Sequence, residues 1–198
     1  TVSESFAAAF TRTERGLQQT ENWPVESTDS VTRATLEQGG NTLTVDVSED
    51  ADGNKTYTAS DTARTETPDT AAAQAFISSA ATLYFSSSAD FKPTDEALAA
   101  YGLAEPSATL TVEWTRTDDA SGAQESVTSV LYLGAVDANG DYYARLADSN
   151  AVSTLNATAL SGVLGMTLDG MLPAEEESAP ESAPASESGS VSAASAAD

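Results

Sequence analysis

The sequence contains no cysteine and no histidine, and basic residues are few. Without Cys or His there is no thiolate nucleophile, no imidazole base, no disulfide, and no zinc or iron–sulfur site of the usual ligand set. Only 8 residues are Lys or Arg against 31 Asp or Glu, which gives a formal net charge of -23. Nucleic acid and anionic membrane surfaces are therefore disfavoured as partners, because both are bound through clustered cations.

Composition divides the 198 residues into three segments. Residues 31–172 have the hydrophobic patterning of a folded domain, whereas residues 173–198 are rich in Ser, Ala, Glu and Pro, which is typical of a disordered acidic tail. Residues 1–30 are predicted to form a partly helical N-terminal segment, with a short helix at residues 6–10. We expect Trp23 to pack this segment onto the core, because tryptophan is highly buried on average.

Alternating apolar and polar residues predict a three-strand meander in the first half. Strands at residues 31–37 and 42–47 are followed by a turn at residues 52–54 and a third strand at residues 55–59. Thr67, Pro68 and Asp69 then predict a helix with Thr67 as its cap. The apolar stripe of this helix is predicted to consist of Phe76, Ile77, Ala80, Leu83 and Tyr84.

The second half predicts a short helix at residues 94–100, stopped by Gly102, and three or four further strands. These strands are residues 109–116, a central strand at 127–133, residues 141–147, and a short edge strand at 151–153. Asn156 is predicted to cap a final helix carrying Leu160, Val163 and Leu164. The predicted fold class is α+β, with antiparallel sheets packed against two or three helices. Both halves run from sheet to helix, which leaves an internal duplication open, although no repeated sequence motif supports it.

Two acidic turns are the candidate Ca²⁺ sites. Asp50 and Asp52 lie in a segment resembling part of a calcium loop, but its first and last ligand positions are not acidic. Asp137 and Asp141 flank an Asn-Gly step, which is first of all a hairpin signal. Because Asp, Asn and Gly commonly form turns alone, we predict no cofactor and keep Ca²⁺ as the alternative.

Carboxylate catalysis and sugar binding are the other specific options. Two carboxylates suffice for glycoside hydrolysis, but neither a GxSxG nor an SxxK motif occurs, and we predict no enzymatic activity. An aromatic sugar platform would be built from Trp114, Tyr132, Tyr142 and Tyr143. Since adjacent strand residues point to opposite faces, Tyr142 and Tyr143 cannot both join one platform. Aromatic residues in strands are ordinarily packing residues.

The segments LAAYGLAEPSATLTVEW and VLYLGAVDANGDYYARLADSNAVSTL carry a distinctive order of motifs. A YGLxxP step precedes an alternating strand, an LG turn, a Gly-containing hairpin, a YY strand and a short strand before a helix. In this order the chain resembles the bacterial family called domain of unknown function 4340, over residues 31–164. The motif residues are Tyr101, Gly102, Leu103, Pro106, Leu133, Gly134, Gly140, Tyr142 and Tyr143.

The resemblance implies no catalytic residues, and each motif residue has a structural explanation. Glycines stop a helix or form a hairpin, Pro106 forms a turn, and the tyrosines pack on a sheet face. Members of the family resemble one another as exported or membrane-anchored bacterial proteins, some of them encoded beside parts of ABC transporters.

We therefore predict a non-catalytic, extracytoplasmic module that contacts a protein partner at the cell envelope, as an accessory to an ABC-type transporter. Its anchor would be a removed segment before Thr1, and this fragment itself would not insert into the membrane. The alternative is a cell-surface binding module for carbohydrate or Ca²⁺, and a carboxylate enzyme ranks third. The expected partner site is the edge strand at residues 151–153, by strand addition.

Overall fold

The computed structural model describes residues 21–173, so the predicted helix at residues 6–10 and the predicted tail beyond residue 173 lie outside it. A short 3-10 turn at Thr28–Ser30 precedes nine strands and four helices within this part of the chain. The strands are β1 (Val31–Gln38), β2 (Asn41–Glu49), β3 (Lys55–Ser60), β4 (Thr65–Glu66), β5 (Ser87–Asp90), β6 (Ala108–Thr117), β7 (Gln124–Val136), β8 (Tyr142–Leu146) and β9 (Val152–Leu155). The helices are α1 (Thr70–Ala81), α2 (Asp95–Ala100), α3 (Ala157–Leu160) and α4 (Leu168–Met171).

The strands form one antiparallel sheet in the order β4-β3-β2-β1-β6-β7-β8-β9-β5. The predicted meander is confirmed as β1, β2 and β3, and the predicted central strand is confirmed as β7, which lies between β6 and β8. Pairing of β1 with β6 joins the two groups of strands. The α+β class is thus confirmed, with one continuous sheet instead of separate sheets.

One face of the sheet carries the hydrophobic core. Leu36, Val45 and Leu110 point to this face and are buried, because every second residue of a strand faces the same way. Helix α1 covers the face with Phe76 and Ile77, as the helical spacing predicts. The core also holds Trp23, which is 8% exposed and packs the chain around it onto the domain, as predicted for this residue.

The start of helix α1 differs from the prediction. Asp69, and not Thr67, is the N-cap, because its Oδ1 accepts the N–H of Ala72 at 2.9 Å. The N–H of Asp69 also donates to the carbonyl of Met171 at 2.8 Å, which fixes the helix start against α4. An Asp side chain directly before the first turn is as good a cap as Thr, so composition alone did not decide between them.

The ends of two predicted helices also differ. Helix α1 ends at Ala81, and Tyr84, predicted to be part of its apolar stripe, is 61% exposed. The predicted final helix is divided into α3 and α4, although its cap Asn156 is confirmed. Gly165 separates the two helices with a φ of 77°, a left-handed conformation that a continuous α-helix does not contain.

The strand predicted at residues 151–153 is present as β9, but its predicted position at the edge of the sheet is wrong. Strand β9 pairs with β8 on one side and β5 on the other, and all four of its residues are buried. Strand β5 lies at the edge of the sheet instead. Its sequence, SSAD, has no apolar alternation, so it gave no strand signal; backbone pairing and a 2.9 Å contact between the Ser87 and Thr154 hydroxyls hold it.

The two halves of the sheet have corresponding parts. Strands β1 to β4 lead into α1, strands β6 to β9 lead into α3, and the first strands of the two series pair at the centre. The capping residues Asp69 and Asn156 follow the β2–β3 and β7–β8 turns at the same sequence distance. The β6–β7 hairpin is longer, since β6 and β7 have 10 and 13 residues against 8 and 9 in β1 and β2. The β6–β7 hairpin therefore extends beyond the residues that correspond to the β1–β2 hairpin.

Candidate functional site

The first predicted Ca²⁺ turn uses its carboxylate to hold the backbone. Asp50 Oδ1 accepts the N–H groups of Asp52 and Asn54, each at 2.9 Å, and Oδ2 accepts Nδ2 of Asn54 at 3.2 Å. These bonds, led by the backbone N–H of Asn54, lower the pKa of Asp50 from its ordinary value. Asp52 is exposed on the same turn. The carboxylate oxygens of Asp50 thus have partners within the turn.

The second turn repeats this arrangement. Asp137 Oδ1 accepts the N–H groups of Asn139 at 2.8 Å and Asp141 at 3.0 Å, and the Asp141 N–H is the main cause of the lowered pKa of Asp137. Asp141 Oδ1 accepts Nδ2 of Asn156 at 2.9 Å, which ties the turn to the start of α3. No group of three potential metal-ligating side chains occurs within residues 21–173.

The family motif around Gly102 and Gly134 is a close contact between α2 and β7. A Cβ on Gly134 would lie 2.2 Å from the carbonyl oxygen of Tyr101, and one on Gly102 would lie 2.7 Å from the N of Ala135. The N–H of Ala135 donates to the Tyr101 carbonyl at 2.8 Å. Gly102 also has a φ of 70°, which a side chain would strain. Both glycines therefore allow two backbones to touch.

The remaining motif residues surround this contact or form turns. Leu103 is buried and donates its N–H to the carbonyl of Leu98 at 2.8 Å, whereas Pro106 is exposed in the loop before β6. The rings of Tyr101 and Tyr143 stack with their centroids 4.5 Å apart. Gly140 lies in the β7–β8 turn. The structural role of the motif residues stays a prediction.

The four aromatic residues of the predicted sugar platform lie in different surroundings. Trp114 is 2% exposed, and its Nε1 donates to the Ser129 hydroxyl at 2.9 Å. Tyr142 packs against the core, Tyr143 stacks on Tyr101, and Tyr132 has the Arg145 guanidinium 5.3 Å from its ring centroid. Tyr142 and Tyr143 point to opposite faces, as predicted. The structure does not bring the four rings together.

The carboxylates with a shifted pKa in the described part of the chain all have a lowered one. Lys55 lowers the pKa of Asp29 through a direct hydrogen bond, and backbone N–H groups of Ala63 and Arg64 lower that of Asp61. Asp118 accepts the hydroxyl and N–H of Ser121, with the same effect on its pKa. A general acid working near neutral pH needs the opposite shift, so these five acids are placed to stabilise turns and ion pairs.

The longest strand, β7, has a backbone edge with no neighbour. Its pairing with β6 extends from Gln124 to Leu133, whereas pairing with β8 begins at Leu131. The Val130 carbonyl accepts the N–H of Ala147 on the β8 side, so the N–H and C=O groups of Ser126 and Thr128 also point to that side by the alternation of antiparallel strands. Within residues 21–173, no strand pairs there. We call the open side of residues 124–129 the β7 edge.

A groove of about 400 Å³ lies directly beside the β7 edge. Val127 and Leu146 line its apolar part, and Glu26 and Asp148 are exposed at its rim. It continues around Leu146 and Asp148 into a more open cavity of about 610 Å³, where Phe91 is 54% exposed. Unpaired backbone groups and an apolar groove thus occur side by side.

The matching position in the first half of the sheet is covered. Strand β2 begins at Asn41, but its pairing with β3 begins at Thr44, so residues 41–43 border a cavity of about 470 Å³. The segment Gly165 to Asp169 lines the same cavity, and the Gly165 N–H donates to Oε1 of Gln38 at 2.9 Å. The stretch without a neighbouring strand is thus three residues long in β2, where residues 165–169 lie beside it, and six residues long in β7.

Sequence reasoning missed the β7 edge because it placed the start of the strand too late. Residues 124–126, Gln-Glu-Ser, are polar and exposed, and hydrophobic alternation begins only at Val127. Pairing with the equally polar end of β6 extends the strand, including the bidentate contact of Arg116 with Glu125 at 3.0 and 3.1 Å. A polar run directly before a central strand was the available signal.

Comparison with known families identifies the class of this domain. The model of the family described as domain of unknown function (DUF4340) matches residues 67–169, which is more than half of the chain. The chain belongs to this family. No match was found among curated proteins or among solved structures. None of the helices within residues 21–173 has the length and apolar character needed to cross a bilayer.

Proposed function

We propose that this domain is a non-catalytic module that binds a protein partner, and that the β7 edge is its contact site. The observation that carries the proposal is that the N–H and C=O groups of Ser126 and Thr128, next to an apolar groove, have no strand partner within residues 21–173. Exposed sheet edges bind extended chains because an added strand satisfies their backbone hydrogen bonds. Strand β9 offers no such edge, since it is paired on both sides.

The charge chemistry of the domain supports binding without catalysis. The sequence has no His or Cys, and the acids Asp50 and Asp137 are engaged by their own turns. Their lowered pKa values keep them ionised at neutral pH, where they act as hydrogen-bond acceptors. A module built in this way holds a partner and has no obvious proton donor for a reaction.

We also propose a cellular setting for the domain. In it, the domain lies outside the cytoplasm, is anchored to the bacterial membrane by a segment before Thr1, and serves as an accessory to an ABC-type transporter. The resemblance described above supports this setting, and the acidic composition is compatible with a soluble domain at the cell envelope. Carbohydrate or Ca²⁺ as the ligand is the alternative.

A ligand titration separates these functions. We expect no saturable rise in the melting temperature of the purified chain with CaCl₂ or with a panel of cell-wall glycans, because a ligand of the folded state raises its stability. We expect extended peptides to slow amide exchange at Ser126 and Thr128. The proposal is wrong if Ca²⁺ or a glycan stabilises the chain saturably, or if no extended peptide protects these two amides.

A further inference from the structure

We infer that the β7 edge binds an extended segment that alternates apolar and basic side chains. This inference rests on the proposed function and names the chemistry of the partner. Three features of the surface around Thr128 support it: the direction of the free backbone groups, the apolar groove, and the charge of the rim.

The backbone groups determine the shape of the partner. The Val130 carbonyl accepts the Ala147 N–H on the side away from β6, so Ser126 and Thr128 direct their backbone groups to that same side by the alternation of antiparallel strands. An added strand would bond to Ser126 and Thr128 and continue the sheet at the point where β8 turns away. Six residues of open edge, 124–129, are enough for a strand of ordinary length.

The groove determines the chemical character of every second side chain of the partner. Side chains of the added strand alternate between the two faces of the sheet. Those on the core face would lie over Val127 and beside Leu146, which line the groove. Apolar side chains at these positions would remove the exposed part of Val127 from water, at about 25 cal/mol per Å².

The rim determines the charge of the partner. Glu26 and Asp148 are exposed at the groove, and Asp119 is exposed in the loop at the hairpin tip. Of the cations near the groove, Arg116 is already paired with Glu125, and Lys92 lines the adjoining cavity together with Glu21. The surplus of acids attracts Lys or Arg side chains, and the formal net charge of -23 would steer a basic segment to the domain from a distance.

A second copy of this chain fits the edge poorly. Pairing β7 with its own copy would bring two chains of net charge -23 together and add a second set of rim acids at the groove. Like charges facing each other across an interface disfavour association. Charge complementarity therefore selects a basic strand over self-association.

The test uses three blocked peptides that alternate valine with lysine, with glutamine or with glutamate. Each is titrated into the full chain, and binding is followed by amide NMR shifts and amide exchange at Ser126 and Thr128. We expect the lysine peptide to bind most tightly, with an affinity that falls as salt is raised, since salt screens exposed charges. Analytical ultracentrifugation of the chain alone checks for self-association.

Two variants and a matched control locate the binding. Thr128→Pro removes a free N–H without removing a bond to β6, so the chain should stay folded and lose roughly tenfold in affinity for the lysine peptide. Asp148→Lys should lower the affinity for that peptide by roughly threefold or more. Asp52→Lys makes the same charge change in the β2–β3 turn and should have a clearly smaller effect. Melting curves of the three variants check that each is folded.

The outcomes separate the inference from the function on which it rests. Equal or tighter binding of the glutamine or glutamate peptide at the same amides overturns the basic-partner inference and leaves strand addition in place. Protection of Ser126 and Thr128 by a second copy of the chain also overturns it. Failure of all three peptides to reach these amides overturns both proposals.

Discussion

Replacing Gly134 by alanine tests the contact between α2 and β7 most sharply. The added Cβ would lie 2.2 Å from the Tyr101 carbonyl oxygen and 3.1 Å from Cγ of Leu103. The nearest atom belongs to the backbone and cannot rotate away, so α2 must move. The move would stretch the 2.8 Å hydrogen bond from Ala135 to Tyr101.

The cost of this substitution combines overpacking with a weakened hydrogen bond. Overpacking a buried position costs about 1–3 kcal/mol, and a lost backbone hydrogen bond adds about 1 kcal/mol. We expect Gly134→Ala to lower the free energy of unfolding by about 3 kcal/mol. For a domain of this size, that corresponds to a fall in melting temperature of roughly 6–12 °C.

Thermal and urea unfolding followed by circular dichroism measure this loss. Gly170→Ala is the matched control, because its Cβ would lie 3.4 Å from Oγ1 of Thr167, an ordinary contact. The control lies in α4, where alanine is favoured over glycine, so its stability should be unchanged or slightly higher. A Gly134→Ala chain as stable as the wild type would refute the close-contact explanation of the motif.

Three further substitutions test other parts of the structure. Gly162→Ala places a Cβ 2.1 Å from the hydroxyl oxygen and 2.8 Å from the Cβ of Ser79. The hydroxyl can rotate away but the Cβ cannot, so urea unfolding should show a loss of about 1–3 kcal/mol. Trp114→Phe leaves the buried Ser129 hydroxyl without its donor and should cost about 1–3 kcal/mol in the same assay; a double variant with Ser129→Ala should recover part of the loss. The pKa of Asp137 is lowered in the folded protein. The stability that its carboxylate gives to the fold is therefore fully present above the unfolded-state pKa of about 4, and it is lost as the pH falls through the folded-state pKa. The difference in free energy of unfolding between the wild type and Asp137→Asn should therefore become smaller in acid. A difference that stays constant from neutral pH to a pH of about 2 would contradict this.

Local patterns predicted the strands and the fold class well. The alternation of Leu110, Val112 and Trp114 identified β6, and turn chemistry located the hairpins at Gly53 and Gly140. These features depend on residues close together in sequence. Periodicity and turn propensity therefore suffice to find them.

Features that depend on distant pairing could not be predicted in the same way. Strand β5 is held by β9, and the polar start of β7 is held by β6, although neither segment has strand alternation of its own. The role of Gly134 depends on its contact with the backbone of Tyr101, and the sequence pattern does not show this contact. Sequence reasoning missed the β7 edge for the same reason. This edge is formed where the pairing between β7 and β8 ends.

Amide hydrogen exchange of the free chain along β7 is the most direct test of the β7 edge. If the edge is open, the Ser126 and Thr128 amides exchange quickly, whereas those of Val127 and Ser129, bonded to β6, exchange slowly. Equal protection of all four amides would show that another part of the molecule already occupies the edge, and it would contradict the proposed mode of binding.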